Sequence, residues 1–273
     1  MIAAQEIEET ECLAWLDLFA AAPPDHAAEA GLACRRMAGA GALAYRAVPI
    51  TEFNRVMAPG VGVPWSEGQF EEALAWLQRH AADGWAIQIS PAAQPAAIVE
   101  WAAARGLEPA GAGWAKWRRP ASMAIRPSAS DLEVRSVGRD HGAAFARVVQ
   151  QGFGLPETTR PWFAGLPGRD GWRTYLAFDG PEPVAAGAMF INGQCAWLGV
   201  DTTLTEARGR GAQASLIAAR LADGAAVGVL GFTAETASPP AGEEASYASF
   251  RNYDKAGFSA AYVRPNYKLR RPS

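Results

Sequence analysis

The 273-residue sequence is poor in the residues that hold metals or build disulfide frameworks. It has three cysteines, Cys12, Cys34 and Cys195, and three histidines, His26, His80 and His141, all dispersed. No C-x-x-C pair and no metal-ligand spacing occurs, so neither a zinc site nor a disulfide scaffold is expected. No run of about 18 apolar residues is present, which argues against a membrane-spanning helix. The opening "MIAAQEIEETE" is acidic and lacks the apolar stretch of a secretory leader, so the cytoplasm is the expected compartment. Positive charge is not in excess either. The 25 basic residues stand against 28 acidic ones, a formal net charge of −3. A general nucleic-acid binder, whose grip rests on a basic surface, is therefore not expected.

What the chain does have is apolar content of 49% and charged content of only 19%, enough for a substantial core. Its length allows one large domain or two ordinary ones. The stretch "RRPASMAIRPSAS" (118–130) carries two prolines, three serines and no helical period. It reads as a connection, dividing the chain into residues 1–120, a linker over 121–130, and residues 131–273.

In the second part, "LEVRSV" (132–137) reads as a strand, and "RDHGAAFARVVQQGF" (139–153) has helical spacing at Phe145, Val148, Val149 and Phe153. A short helix is expected over 158–166. Strands over 172–178, 183–191 and 195–202 follow, joined by Asp179-Gly180 and by Asn192-Gly193, a strong hairpin signal. A helix over 207–222 presents Ala214, Ile217, Ala218 and Leu221 on one face, with Gly224 as its stop. A strand over 226–236, a helix over 243–256 and a closing strand or pair over 257–269 complete the chain. The first part repeats this rhythm. A strand and turn over 53–62 lead to a helix over 66–84 with Ser66 and Gln69 placed as a capping box. A strand over 85–90, a helix over 94–106 and a strand over 114–119 follow. Strand, helix, strand, helix, strand thus occurs twice in one order, which reads as an internal duplication.

The chemistry concentrates at "RGRGAQ" (208–213), between the meander and a helix. A helix start exposes unpaired N–H groups, and glycines let several of them converge on one anion. Gly209 and Gly211 supply that freedom, and Arg208 and Arg210 add charge; a pyrophosphate fits this geometry. The same stretch also reads as a solvated basic helix start. The lysine of a GxxxxGK[ST] loop is missing, and so is the last glycine of GxGxxG.

The stretch "TTLTEARGRGAQASLIAARL" resembles the acyl-CoA pyrophosphate motif of the GNAT superfamily of N-acetyltransferases: Arg or Gln, two residues, Gly, one residue, then Gly or Ala. Arg208 and Gly211 match, and Gln213 stands where Gly or Ala is usual. "NYDKAGF" (252–258) is similar to the family's later "YEKxGF" segment, and the element order over 132–269 matches the family fold. The resemblance implies an α/β (α+β) protein of two GNAT-like domains, each a mixed, mainly antiparallel twisted sheet flanked by helices. It implies acetyl-CoA as acyl donor and direct attack by the amine of a small molecule. Strand 195–203 would pair with pantetheine, with Asp201 and Thr203 at those contacts. Arg208, Gly209, Arg210, Gly211, Ala212 and Gln213 would hold the pyrophosphate. Tyr253 matches the tyrosine that protonates the leaving thiolate. The asparagine common seven residues before that tyrosine is Ser246 here, and Asn252 adjoins Tyr253 instead.

Glu235, ending the strand after the cofactor helix, is a candidate general base, and Glu157 is a second; both also read as solvated loop carboxylates. Phe153, Trp162 and Phe163 either shape an acceptor mouth or pack against the sheet, and Arg160 and Arg173 either read an acidic acceptor or are ordinary exposed arginines. The first part lacks the arginine-glycine turn. Glu67, Glu71 and Glu72 sit there instead and would repel a pyrophosphate. That part is expected to buttress the second or to close its acceptor cleft. The expected partners are acetyl-CoA and an amine acceptor, with no nucleic acid and no membrane, and with a homodimer as an open assembly. A non-catalytic acyl-CoA sensor and a structural protein on a degenerate fold remain the alternatives.

Overall fold

Ser66 opens the long helix of the first half. Its hydroxyl accepts from the Gln69 N–H, and Gln69 Oε1 accepts from the Ser66 N–H at 2.8 Å. Two of the donors that a helix start leaves bare are thus satisfied. Phe70, Ala73, Leu74 and Leu77 then recur at helical spacing and are all buried.

The computed structural model describes residues 2–270. Helices α1 (Ala4–Ala20) and α2 (Pro24–Ala30) precede strands β1 (Leu32–Met37), β2 (Ala40–Tyr45) and β3 (Arg55–Met57). Helix α3 (Glu67–His80), strand β4 (Ala86–Gln88), helix α4 (Ile98–Ala104) and strand β5 (Leu107–Pro120) complete the first half. Residues 121–130 form no helix or strand. The second half runs β6 (Glu133–Val137), α5 (Gly142–Phe153), α6 (Arg160–Ala164), β7 (Trp172–Asp179), β8 (Glu182–Asn192) and β9 (Cys195–Thr203). It ends with α7 (Ala212–Ala226), β10 (Gly231–Ala237), α8 (Ala248–Lys255) and β11 (Ser259–Leu269). No helix among the described residues is long and apolar enough to cross a membrane.

Several boundaries differ from the sequence reading, each for a local reason. The helix expected from 207 starts at Ala212, because Gly209 and Gly211 have φ of 82° and 78°, which an α-helix cannot hold. Gly224 does not stop that helix. It lets the helix lie on the sheet, since a Cβ there would meet the Phe232 ring at 2.5 Å. The next strand accordingly starts at Gly231 rather than 226. The helix expected over 243–256 is broken: Glu244–Ser246 form one 3-10 turn, Tyr247 is extended, and α8 begins at Ala248. The helix expected from 94 begins at Ile98, because Gln94 is bonded across to Gly60 and Trp65.

All eleven strands join one sheet in the order β1-β2-β3-β4-β11-β5-β10-β9-β8-β7-β6. The closing strands are exchanged. β11, from the end of the chain, inserts between β4 and β5, while β5, from the first half, inserts between β10 and β11. β5 and β11 pair antiparallel from Ser259↔Arg118 to Leu269↔Leu107.

Helix α1 lies across this junction, touching β1 and β2 on one side and β8, β9 and β10 on the other. Ile7, Leu18 and Phe19 are buried, each contributing about 1.5–3 kcal/mol as a large apolar group removed from water. The same helix buries two acids. Glu8 pairs with Arg264, and its Oε1 accepts from the Tyr262 hydroxyl at 2.9 Å. Glu11 accepts from Arg264 at 2.7 Å and pairs with Lys116. Glu235 accepts from Arg55 at 3.0 Å, Arg264 at 3.1 Å and Lys116 at 3.4 Å. Three carboxylates therefore meet three cations, and Gln88 accepts from both arginines. Charges out of water cost several kcal/mol each unless paired and hydrogen-bonded. A one-residue slip of β5 or β11 would turn Lys116 or Arg264 to the opposite face and strand the acids.

Burial alone would raise the pKa of Glu8 and Glu235, but the surrounding cations outweigh it and hold both below the ordinary value of 4.5. Unfolded carboxylates take up protons first as pH falls, so this contribution is complete above about pH 4.5 and declines below it. The urea midpoint should fall steadily from pH 5 to pH 3, and less steeply in Glu8→Gln. A midpoint flat across that range contradicts the assignment.

Candidate functional site

Strands β9 and β10 run parallel but are paired only from Gly231↔Cys195 to Ala234↔Leu198. Beyond that point each follows its other neighbour and the sheet opens. β10 stays with β5 as far as Ala237↔Trp114, and β9 stays with β8 as far as Thr203↔Ala185. The β8–β9 ladder is itself interrupted: Ala188 faces Gly199, and Ala186 faces Thr202. Two residues, Val200 and Asp201, thus oppose the single Gly187. This is a bulge, with Val200 held at φ 57°.

The bulge is stabilised by a buried arginine. Arg220 of α7 donates to the carbonyls of Ala188 at 3.0 Å and Gly199 at 3.4 Å, and pairs with the Asp201 carboxylate. Gly187 makes room, since a Cβ there would lie 2.9 Å from Asp201 Oδ1 and 3.1 Å from Arg220 Cζ. The other Asp201 oxygen accepts from the Tyr253 hydroxyl. Tyr253 is 2% exposed, stacked on Trp117 and edge-on to Phe258. Burial first, then the Asp201 charge, raises the Tyr253 pKa well above 10.0, so the phenol stays protonated. Burial also raises the Asp201 pKa, against the pull of Arg220 and Tyr253.

A cavity of about 610 Å³ fills the opening. The second half lines it with Trp197, Asp201, Gln213, Glu235 and Tyr253, among others. The first half contributes Trp15, Leu18, Ile50, Glu52, Phe53 and Trp114. Of the proposed acceptor aromatics, Phe153 and Phe163 line the cavity. Trp162 does not: it is fully buried in the core, donating to the Leu18 carbonyl at 2.6 Å. Glu157 and Arg160 pair with each other away from the cavity wall, and Arg173 is not among the lining residues. Glu235 reaches the cavity, but three cations hold it, and a carboxylate with a lowered pKa is a weak proton acceptor.

The glycine-rich turn reaches the cavity through Gln213. No backbone N–H from Gly209 to Ala214 has an acceptor among the described residues. Gly209 faces open space. Gly211 is covered by the connecting segment, where a Cβ would meet the Ala129 carbonyl at 2.6 Å and the Ser130 hydroxyl bonds to the Arg210 carbonyl. The two arginines differ. Arg210 is clamped by Asp131 and Asp179, so its charge is already balanced, whereas the exposed Arg208 side chain, among the described residues, donates only to the Thr203 carbonyl. Gln213 accepts from Asn252 at 2.7 Å and bonds to Ser249, tying α7 to α8 across the place where a smaller residue was expected.

No protein-family model matches the chain, and no curated protein matches it either. Solved structures do. A GCN5-related N-acetyltransferase from Kribbella flavida is similar over 97% of this chain and 96% of its own, with a TM-score of 0.59 and 15% identity. Another from Sphaerobacter thermophilus covers 86% of this chain and 78% of its own, at TM-score 0.59 and 15% identity. A tandem GNAT protein from the clavulanic acid biosynthesis pathway covers 97% and 95%, at TM-score 0.51 and 17% identity. The chain has the GNAT fold. In this chain the β9–β10 opening, Gln213 at the end of the glycine-rich turn and Tyr253 line one cavity.

Arg220, Glu52 and Asn54 escaped the sequence reading. Arg220 carried a signal, because it falls in the apolar stripe with Leu216, Ile217 and Leu221. Arg220→Ala leaves two carbonyls and a buried carboxylate without their partner, and should cost about 3–5 kcal/mol in urea unfolding. Asp201→Asn, which keeps the shape, should cost less. Equal losses for the two would contradict the assigned role of the guanidinium.

Proposed function

We propose that the protein is an acetyl-CoA-dependent N-acetyltransferase acting on the amine of a small molecule. The observation that carries this reading is the open N–H cradle at Gly209–Ala214 beside the split between β9 and β10. Unpartnered donors at the start of a 15-residue helix suit a pyrophosphate, and an unpaired strand edge suits an amide-bearing arm. The residues present therefore fit acyl-CoA. Arg208, Gly209, Arg210, Gly211, Ala212 and Gln213 would surround the pyrophosphate, mainly through backbone N–H groups, with Arg208 adding unbalanced charge. Asp201 and Thr203 lie on the strand edge that would flank the pantetheine.

Bound acetyl-CoA supplies a thioester whose acyl carbon an amine can attack. The protein contributes placement and proton control. Tyr253 carries a proton at every physiological pH and lines the cavity, which suits it to protonate a departing thiolate. Asp201 orients that hydroxyl and is itself fixed by Arg220. Glu235 serves in this reading as a fixed charge at the cavity floor rather than as a proton acceptor.

The first half takes no acyl-CoA in this reading. Ala58, with φ 56°, follows β3 much as Val200 follows the paired part of β9. There, however, the chain bridges its own opening: Gln94 N–H donates to the Gly60 carbonyl at 2.8 Å, and its carbonyl accepts from Trp65 N–H at 2.9 Å.

CoA at about a hundred times its dissociation constant should add about 2.7 kcal/mol of stability, read as a thermal shift. Gly209→Asp, which suits a left-handed backbone but adds negative charge to the cradle, should weaken CoA about tenfold or more. Tyr253→Phe should lower turnover with CoA affinity unchanged. No thermal shift at millimolar CoA overturns the reading. A shift without thiol release from acetyl-CoA across a broad amine panel would make the protein an acyl-CoA-binding module.

A further inference from the structure

The cavity wall is selective in a way that the cradle is not. Nine aromatic side chains line it, Trp15, Phe53, Trp114, Phe153, Phe163 and Trp197 together with Tyr247, Phe250 and Tyr253. Its charged members are Glu52, Asp201 and Glu235, and no lysine, arginine or histidine lines it. These three acids are not equivalent. Asp201 is held by Arg220 and Tyr253, and Glu235 is held by Arg55, Lys116 and Arg264. Glu52 accepts no hydrogen bond and forms no ion pair among the described residues, and it is only half-buried.

Glu52 is nevertheless firmly placed. It sits on a single 3-10 turn, Thr51–Phe53. The next residue, Asn54, is 1% exposed, and its side chain makes four hydrogen bonds. Its Oδ1 accepts from the Tyr45 and Ala82 N–H groups, and its Nδ2 donates to the Val48 and Ile50 carbonyls, each at 2.9 Å. Lys268 from β11 donates to the Thr51 hydroxyl at 2.6 Å. Its charge also acts on the buried Arg55 guanidinium, but only at longer range than an ion pair, and a carboxylate with no hydrogen bond or ion pair, on a braced turn beside an aromatic wall, is a receptor for a cation.

We infer that the acceptor is a cationic primary amine on an aromatic or branched apolar body without an anionic group, and that Glu52, from the half without the cradle, binds its ammonium before one proton passes to solvent water and the free amine attacks. This rests on the acyl-transfer reading of the same cavity. The aromatic wall buries the apolar body, and each such ring removed from water adds favourable free energy. An acceptor carrying a carboxylate would face acids with no cation to pair it. A polyhydroxylated amine would set hydroxyls against the aromatic wall, and of the polar side chains around it Gln213, Ser249, Thr236 and Tyr253 are already hydrogen-bonded within the protein.

The test compares 2-phenylethylamine with L-phenylalanine, which differ by one carboxylate, and adds a polyhydroxylated aminoglycoside. Thiol release from acetyl-CoA is measured for the intact protein and for Glu52→Gln, with CoA affinity measured separately by titration. The expected result is a kcat/KM for 2-phenylethylamine about 10- to 100-fold above that for either comparator. Glu52→Gln should raise its KM by a similar factor and leave CoA affinity unchanged. Equal use of L-phenylalanine or the aminoglycoside, or an unchanged KM in Glu52→Gln, overturns the inference. Binding of 2-phenylethylamine is followed in parallel by tryptophan fluorescence. If CoA binds but 2-phenylethylamine does not, this inference fails and acyl transfer stands. If 2-phenylethylamine binds through Glu52 but CoA does not, acyl transfer fails and the cation receptor stands.

Discussion

Three buried carboxylates and three buried cations at the crossing of β5 and β11 set the terms for the rest of the molecule. Glu8 and Glu11 come from α1, Arg55 from β3, Lys116 from β5, Glu235 from β10 and Arg264 from β11. The cluster balances its charge only if all five elements are in register. That requirement explains why the exchanged strands cannot slide and why an acidic helix lies buried across the middle of a sheet. It also reaches the cavity. Glu235 belongs to both, and the Arg55 guanidinium lies 4.6 Å from the centre of the Trp15 ring that forms part of the wall.

The two halves use one plan for different ends. Each carries a parallel strand pair that opens, followed by a residue in the left-handed region, Ala58 or Val200. In the first half the loop at Gln94 bridges the opening, and the acids at the start of α3 are drawn to Arg105 and Arg35. In the second half the opening stays clear because Arg220 satisfies the carbonyls that the bulge releases. The first half then gives its turn at 51–53 and its closing strand to the cavity of the second. The division of labour is between a cradle and a wall, and the exchange of strands joins them.

Much of this was legible in the sequence. Asp179-Gly180 and Asn192-Gly193 marked the meander, Ser66 and Gln69 marked the capping box, and RGRGAQ with NYDKAGF carried the resemblance to the GNAT motifs. These are local signals, set by backbone dihedrals and nearest neighbours. What was illegible is non-local. Alternation tells a strand which face is buried, not which strand lies beside it, so the exchange of β5 and β11 left no trace. Glu8 and Glu11 read only as part of an acidic opening, because no short stretch reveals that Arg264, 253 residues beyond Glu11, is their partner. Gly224 looked like a stop because a glycine that ends a helix and one that lets it touch Phe232 are identical in sequence. Arg210 looked like a phosphate ligand because Asp131 and Asp179 come from distant segments. The one missed residue with a local mark was Arg220, a charge within an apolar stripe.

The central claim is that one half holds acyl-CoA and the other closes the acceptor side. Calorimetric titration of the intact chain with CoA tests it most directly. The expected result is one binding site per chain. Two sites, or no heat of binding at millimolar CoA, would contradict it.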